Sequence, residues 1–488
     1  MGLLNLESAT PYAKRWERKL RIYIGPILVG IFFGVRAIAD YQEVWLHRQI
    51  DIPGEFLTRD GTSAFGGDIR IGDVSGDGIC DFVVYRSAQG GESRQHKGGT
   101  KPCFIAAFDI DGKALWQHGK EGEQPVRPGP VAVYDFDGDG SAEIVCLWHR
   151  PDSESPSNWL SLSDVVIQIR DGESGYALRE RAIPEIASLN TCSPKLYTWP
   201  HQRILIANFR GLDRPRDLLL KVGATYVAIT DKLEVLWTYR YRLENEERFP
   251  PKFPAIGDMD GDGRDEVHGG YFLLSHEGEV HWTLEMSKYM DSVTIDVWDS
   301  PYIRAISSGT PQVMGFSSEP ILALGDVTVP HGQELRVANF IASSPGMELA
   351  IRNQGHNTRI LVVSSQGSIL RDFDLNEVPN NTGMESVYLH GREKPALLYN
   401  GNRLWDLEKQ KAAELPGLPK ANGKAVHRMG FYHAIPADLT GDGNEDLVVY
   451  EPTSTRVFVY AMDHPANSAV HVERFISGPR QYNPRLMD

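Results

Sequence analysis

The sequence predicts an all-β protein: a single seven-bladed β-propeller of four-stranded antiparallel blades, its ring closed by the N-terminal strand. Three observations predict it. An element of strand, acidic loop and strand recurs four times, most copies are followed by two further alternating strands, and one more outer-strand pattern stands near the N-terminus. Four strands repeated at this spacing make the blades of a propeller, each blade burying its faces against its neighbours.

The recurring element reads GDVSGDGICDFVVY from Gly72, YDFDGDGSAEIVCLW from Tyr134, GDMDGDGRDEVHGGY from Gly257 and ADLTGDGNEDLVVYE from Ala437. Carboxylates or hydroxyls at the first, third, fifth and ninth positions can converge on one hard cation, and the glycines allow the sharp turn. The predicted calcium ligands are Asp73, Ser75, Asp77 and Asp81 in the first copy, and Asp135, Asp137, Asp139 and Glu143 in the second. They are Asp258, Asp260, Asp262 and Glu266 in the third, with Asp265 competing, and Asp438, Thr440, Asp442 and Asp446 in the fourth. Strands rather than helices flank these loops, which excludes EF-hands. A structural role for the ion ranks ahead of one in an active site.

Three segments keep the strand frame without the acidic loop: ILIANFRGLDRPRDLLLKVG from Ile204, LRVANFIASSPGMELAIRNQ from Leu335 and VYLHGREKPALLYNG from Val387. They are read as blades without metal. Hairpins such as TYVAITDKLEVLWTYR and YFLLSHEGEVHWTLE supply the third and fourth strands, marked by alternating apolar residues around a turn. First strands are placed near Ile69, Val131, Ile204, Ala255, Leu335, Val387 and Ala434. EVWLHRQI from Glu43 matches the fourth-strand pattern of ALWQHG and VLWTYR, so it completes the last blade. The whole chain, 1–488, is then one domain: an N-terminal segment 1–60 with the closing strand, blades over 66–462 and a C-terminal extension 463–488. Trp116, Trp237 and Trp282 fall at matched fourth-strand positions and are read as packing between blades.

A formal charge of -15 argues against wrapping nucleic acid or an anionic membrane, both of which need basic clusters, and suits cation-binding loops. Four cysteines in 488 residues make no disulfide framework. The apolar run Ile22–Val35 follows a basic stretch in the order of a signal peptide, but it contains Pro26 and is read as a buried strand ahead of a leader.

Insertions are placed at Ser87–Pro102, Pro151–Ser163 and Ser287–Pro330, all opening on the face opposite the acidic loops. The same face receives Arg86, His149, Arg150, Lys221, Tyr271, Arg352, Asn353, Tyr399 and Glu451 from the ends of second strands. His201, Lys252, His331 and His433 reach it from the starts of first strands. Each alone is ordinary rim chemistry. Together they make a basic mouth on an acidic protein, suited to an anionic ligand.

These residues resemble a family. DMDGDGRDEVHGGYFLLSHEGEVHW and VPHGQELRVANFIASSPGMELAIRNQG, from Val329, are similar to segments of rhamnogalacturonan lyases, while the acidic loops also resemble those of integrin-type propellers. Rhamnogalacturonan lyases of this type have eight blades. A count of seven instead resembles the lyases that remove terminal L-rhamnose from O4 of D-glucuronate on arabinogalactan side chains such as gum arabic, and this is the leading expectation. A rhamnogalacturonan lyase is the first alternative and a noncatalytic calcium-dependent carbohydrate- or protein-binding propeller the second. A glycoside hydrolase ranks lower, since it needs two facing carboxylates.

The implied chemistry is β-elimination on a uronate: a base takes the C5 proton, the O4-linked sugar leaves, and positive charge neutralises the carboxylate. His149, His331, Tyr271 and Arg352 are the candidate catalytic residues. Arg86, Arg150, His201, Lys252, Asn353 and His433 are the candidate substrate-binding residues. The resemblance implies an acidic polysaccharide as partner, a monomer and an extracellular setting.

Overall fold

The computed structural model describes residues 44–59, 64–89, 100–119, 130–150, 162–187, 202–241, 253–285, 290–299, 301–309, 311–354, 357–377, 383–389, 395–399, 403–419, 432–461 and 474–486. The chain divides into Met1–Asp40 and Tyr41–Asp488. The run Ile22–Val35 and Cys192 lie outside the described residues.

Eight four-stranded antiparallel sheets follow one another as the blades of a propeller. Their first strands are Asp68–Gly72, Val131–Tyr134, Arg203–Ala207, Ala255–Gly257, Val293–Asp299, Glu334–Ala338, Glu385–Val387 and His433–Ala437. From blade one to blade eight each first strand lies against the next, which makes these the innermost strands. Seven of the eight begin within two residues of the position expected from the sequence.

The expected count of seven is corrected to eight. Blade five, with strands Val293–Asp299, Tyr302–Ser307, Gln312–Met314 and Pro320–Ala323, occupies the stretch 287–330 that was expected to be an insertion. Its first two strands are joined tightly, Asp299 pairing with Tyr302, so the long loop, acidic or not, that joins these strands in the other units is missing. Its first strand, VTIDVWD, also mixes buried and half-buried positions and carries Asp296 in its middle.

Inner strands are buried on both faces, sandwiched between neighbouring blades, with apolar runs such as VAVY at Val131–Tyr134. Outer strands alternate, as VLWTYR does at Val235–Arg240. The N-terminal strand Trp45–Asp51 pairs antiparallel with Arg456–Ala461 and forms the outer strand of blade eight. Its Ile50 shares an apolar cluster with Ile69 of blade one and Ile435 of blade eight.

Two devices bind blade to blade. Indole N–H groups of Trp116, Trp237 and Trp282 donate to the carbonyls of Gly172, His276 and Gly315 in the following blade, at 2.7, 2.7 and 3.0 Å, as the packing reading requires. A Cβ on Gly278, whose φ is +81°, would stand 2.7 Å from the Trp237 ring, so this turn accepts only glycine. The second device is the C-terminal segment, which crosses the axis at the Asp/Gly end. Gln481 Nε2 donates to the carbonyls of Ile71 and Val133, Asn483 bonds both N and O of Ile206, and Arg485 pairs with Asp296. Arg480 bonds Ser386 and Glu445, and the Ile476 amide donates to Asp438 O. One segment thereby touches six of the eight blades.

Six of the turns share one bond whether or not they carry the acidic signature. A carboxylate at the start of the second strand accepts the amide seven residues earlier: Asp81 from Val74, Glu143 from Phe136, Asp217 from Arg210, Glu266 from Met259, Glu348 from Ile341 and Asp446 from Leu439. In blade three the Arg210 guanidinium also lies 2.7 Å from Asp217 and 2.9 Å from Asp231, so a side-chain cation neutralises the turn.

Replacing Gln481 by Ala strips the donor from two buried carbonyls, at a cost of about 1–3 kcal/mol, and urea unfolding should show that loss. A second expectation concerns His268, fully buried with Nε2 3.1 Å from Ser307 Oγ, where burial pulls its pKa from 6.5 down to about 4. Below pH 6.5 the unfolded chain takes up this proton and the folded chain does not, so stability falls with pH and the loss levels off below about 4. Its full size is roughly 3 kcal/mol, and unfolding curves of His268→Gln should lack that slope.

Candidate active site

Second strands start at the Asp/Gly turns and end at the opposite mouth, so blade six delivers Arg352 there, paired in register with Glu334 at the start of the first strand. The chain entering this blade folds back on it. The His331 amide donates to Asn353 O at 3.2 Å and the Gln333 amide to Arg352 O at 2.9 Å, which sets His331, Arg352 and Asn353 side by side. The His331 imidazole is half exposed, with Nε2 3.5 Å from a carboxylate oxygen of the mostly buried Asp291, just ahead of the first strand of blade five.

Arg352 is fully buried. Its guanidinium lies 3.2 Å from Glu334 Oε2 and 4.1 Å from the centroid of the Tyr399 ring. Glu334 is also 2.9 Å from Arg336, which reaches Glu385 at 3.2 Å, so alternating charges run from the mouth toward the axis. Burial pushes the Glu334 carboxyl above its ordinary pKa by more than the two guanidinium groups lower it. Near the same arginine, burial pushes Glu377 up to about 7 although the Trp405 indole donates to it.

The remaining expected residues occupy other blades. His149 ends the second strand of blade two opposite Val165, and exposed Arg150 is 2.6 Å from Glu180. Trp148, beside His149, packs against the Arg170 guanidinium at 4.3 Å. Arg86 is buried, donates to the Phe56 and Gly66 carbonyls and covers the Phe104 ring at 3.7 Å. Tyr271 and Lys221 are buried, the tyrosine stacked near Tyr241 at 6.1 Å. His433 is buried between Tyr450 and Asp68. His201 and Lys252 lie outside the described residues. The structure therefore joins His331, Arg352 and Asn353 and leaves His149 with Arg150, Arg86 and Tyr271 on blades of their own.

Sequence reasoning passed over Glu334, Asp68, Tyr450 and Glu377. The first two open inner strands, Glu334 opposite Arg352 at the end of its second strand and Asp68 opposite Tyr85, and that register is the signal by which they could have been found.

Two acidic turns can hold a metal ion. Donor atoms of Asp135, Asp137 and Glu143 lie within 4.8 Å of one another, as do those of Asp258, Asp260 and Asp262. Burial, with nearby carboxylates adding to it, pushes Glu143 up to about 7 and Glu266 to about 8, and in the other two turns Asp81 to about 6 and Asp446 to about 7. Crowded oxygen ligands that resist sharing negative charge fit a hard divalent cation.

Residues 42–159 match the family description "Rhamnogalacturonan lyase family 11, C-terminal domain". The chain is 22% identical over 272 residues to the rhamnogalacturonan exolyase YesX of Bacillus subtilis, covering 49% of this chain and 44% of that protein. It is 24% identical over 244 residues to the rhamnogalacturonan endolyase YesW of the same organism, covering 43% and 38%. The chain thus spans less than half the length of the curated relatives it matches. The crystal structure of rhamnogalacturonan lyase YesW aligns over 85% of this chain and 75% of its own, with a TM-score of 0.63 at 18% identity, a likeness of fold.

Proposed function

We propose that the chain is a polysaccharide lyase that cleaves an acidic polysaccharide by β-elimination at a uronate. The observation that carries this reading is the match of residues 42–159 to the lyase family description, within a chain whose sequence relatives are rhamnogalacturonan lyases. The blade-six constellation supports it. An exposed imidazole backed by a carboxylate, His331 with Asp291, suits proton transfer to the departing O4, and the adjoining Arg352 supplies positive charge where a uronate carboxylate must be neutralised. His149 and Tyr271 remain candidate catalytic groups, and Arg86, Arg150, His201, Lys252, Asn353 and His433 candidate binding groups.

Two substrates fit this chemistry: the rhamnose–glucuronate ends of arabinogalactan side chains and the rhamnogalacturonan backbone. The preference for the first rested on seven blades, and with eight present that support is gone. Gum arabic and pectic rhamnogalacturonan, incubated separately with the protein, decide between them by growth of the ultraviolet band of a 4,5-unsaturated uronate. Growth on either establishes the lyase. Silence on both, with calcium present and across pH, favours a binding propeller. On the substrate that responds, His331→Ala and Arg352→Ala should each lose more than tenfold in kcat/KM, about 1.4 kcal/mol of barrier. A smaller loss in both would displace the site from blade six.

The proposed cation is calcium, held by Asp73, Ser75, Asp77 and Asp81, by Asp135, Asp137, Asp139 and Glu143, by Asp258, Asp260, Asp262 and Glu266, and by Asp438, Thr440, Asp442 and Asp446. It would neutralise each turn and tie its two strands together. Chelation should then lower the thermal midpoint, each site at a hundredfold excess over its Kd contributing about 2.7 kcal/mol, and added calcium should restore it. An unchanged midpoint would remove the structural role.

A further inference from the structure

At the seam between blades eight and one lies a buried chain of groups that the blade-six site does not use. His433 opens the innermost strand of blade eight and Asp68 that of blade one, so both stand at the mouth end. Tyr450 ends the second strand of blade eight, directly opposite His433 in register. Its hydroxyl is 2.7 Å from Asp68 Oδ1 and 3.3 Å from His433 Nδ1, while Ile69 O is farther than Asp68, at 3.2 Å. Arg70 holds the other Asp68 oxygen at 3.0 Å.

The protons in this chain follow from its charges. Burial pushes the Asp68 pKa up, but the Arg70 guanidinium and the bonds from His433 and Tyr450 outweigh it and hold the carboxyl well below its usual range. Burial, with Asp68 adding to it, raises the Tyr450 phenol well above its ordinary value, so it keeps its proton and donates it to the carboxylate. A phenol has one proton to give. The bond between Tyr450 and His433 therefore needs Nδ1–H as donor, which leaves the lone pair on Nε2. Among the described residues, that Nε2 is buried and has no hydrogen-bond partner, a state that folded proteins seldom leave uncompensated.

Resting on the lyase reading, we propose that His433 is the base of the elimination and that Tyr450 and Asp68 are its positioning residues. Nε2 takes the proton from C5 of the uronate, and the C5–H electron pair becomes the C4=C5 double bond. The C4–O4 bond breaks, O4 leaves with its electron pair and receives a proton from His331. The imidazolium formed on His433 is stabilised by Asp68, 3.8 Å from Nδ1. Among the described residues, the charged or titratable groups around this ring include Asp68 and Tyr450, with Arg70 and Tyr85 beyond them on Asp68.

The test is steady-state turnover on whichever polysaccharide the wild-type protein cleaves. His433→Gln should lower kcat by about a hundredfold or more, with KM within about twofold. Tyr450→Phe keeps the ring but loses the link to Asp68. It should lower kcat about tenfold and move the acid limb of the kcat/KM profile to lower pH, a shift that mere loss of stability would not produce. Nitrogen NMR of the wild-type protein should show His433 with its proton on Nδ1. The base assignment falls, and the lyase reading stands, if the wild type cleaves but His433→Gln keeps most of its kcat, or if the Tyr450→Phe profile is unmoved. It falls also if the proton is on Nε2, which would mark a buried structural histidine satisfied by water. If the wild type cleaves neither polysaccharide, the lyase reading fails and takes this assignment with it. Should His433→Gln not fold, Tyr450→Phe and the NMR measurement decide alone.

Discussion

Eight sheets arranged about an axis leave eight innermost strands, each with one edge turned toward the centre, and the structure depends on finding partners for those edges. Backbone groups buried without partners cost as much as lost hydrogen bonds. The C-terminal segment supplies partners at the Asp/Gly end, where the Gln481 and Asn483 amides imitate a strand by bonding the carbonyls of Ile71 and Val133 and both backbone groups of Ile206. Toward the mouth the work passes to charges. Arg70 bonds the Val131 carbonyl from blade one, and the Glu334, Arg336 and Glu385 series links blades six and seven. The fold thus concentrates buried, paired charge around its axis, where a ligand at the mouth would meet it.

The same constraint explains why the turns are uniform while their sequences are not. Six of the turns share a carboxylate that accepts the amide seven residues earlier, and Asp217 and Glu348 do this without an Asp/Gly signature. The extra acids of the other four turns are excess negative charge in half-buried surroundings. In blade three Arg210 provides the compensating cation from within the chain, a covalent counterpart of the ion proposed for the acidic turns.

Much of the fold was legible because it is periodic. Turn residues and alternating strands located seven blades and the outer strand from the N-terminus, and matched tryptophans marked blade contacts. Blade five was not legible, since Asp299 and Tyr302 join its strands without any loop to recognise, and neither was the axial segment, whose role lies in contacts far apart in sequence. For the site, strand ends could be assigned to the mouth, but not which of them would be covered. Arg86 and Tyr271 are buried in their own blades, whereas His331 is exposed because the chain doubles back along Asn353. Acids such as Glu334 and Asp68 sit on the innermost strands and emerge only when register pairs them with Arg352 and Tyr85.

An elimination and a hydrolysis at the same glycosidic bond differ by one molecule of water. The most direct measurement is therefore the mass of the uronate-bearing products, the side chains left on gum arabic once rhamnose has departed and the oligosaccharides released from pectic rhamnogalacturonan. A lyase leaves a uronate end one water lighter than the saturated sugar, and this is the predicted product. Saturated uronate ends only, or no cleavage of either polysaccharide, would contradict the account.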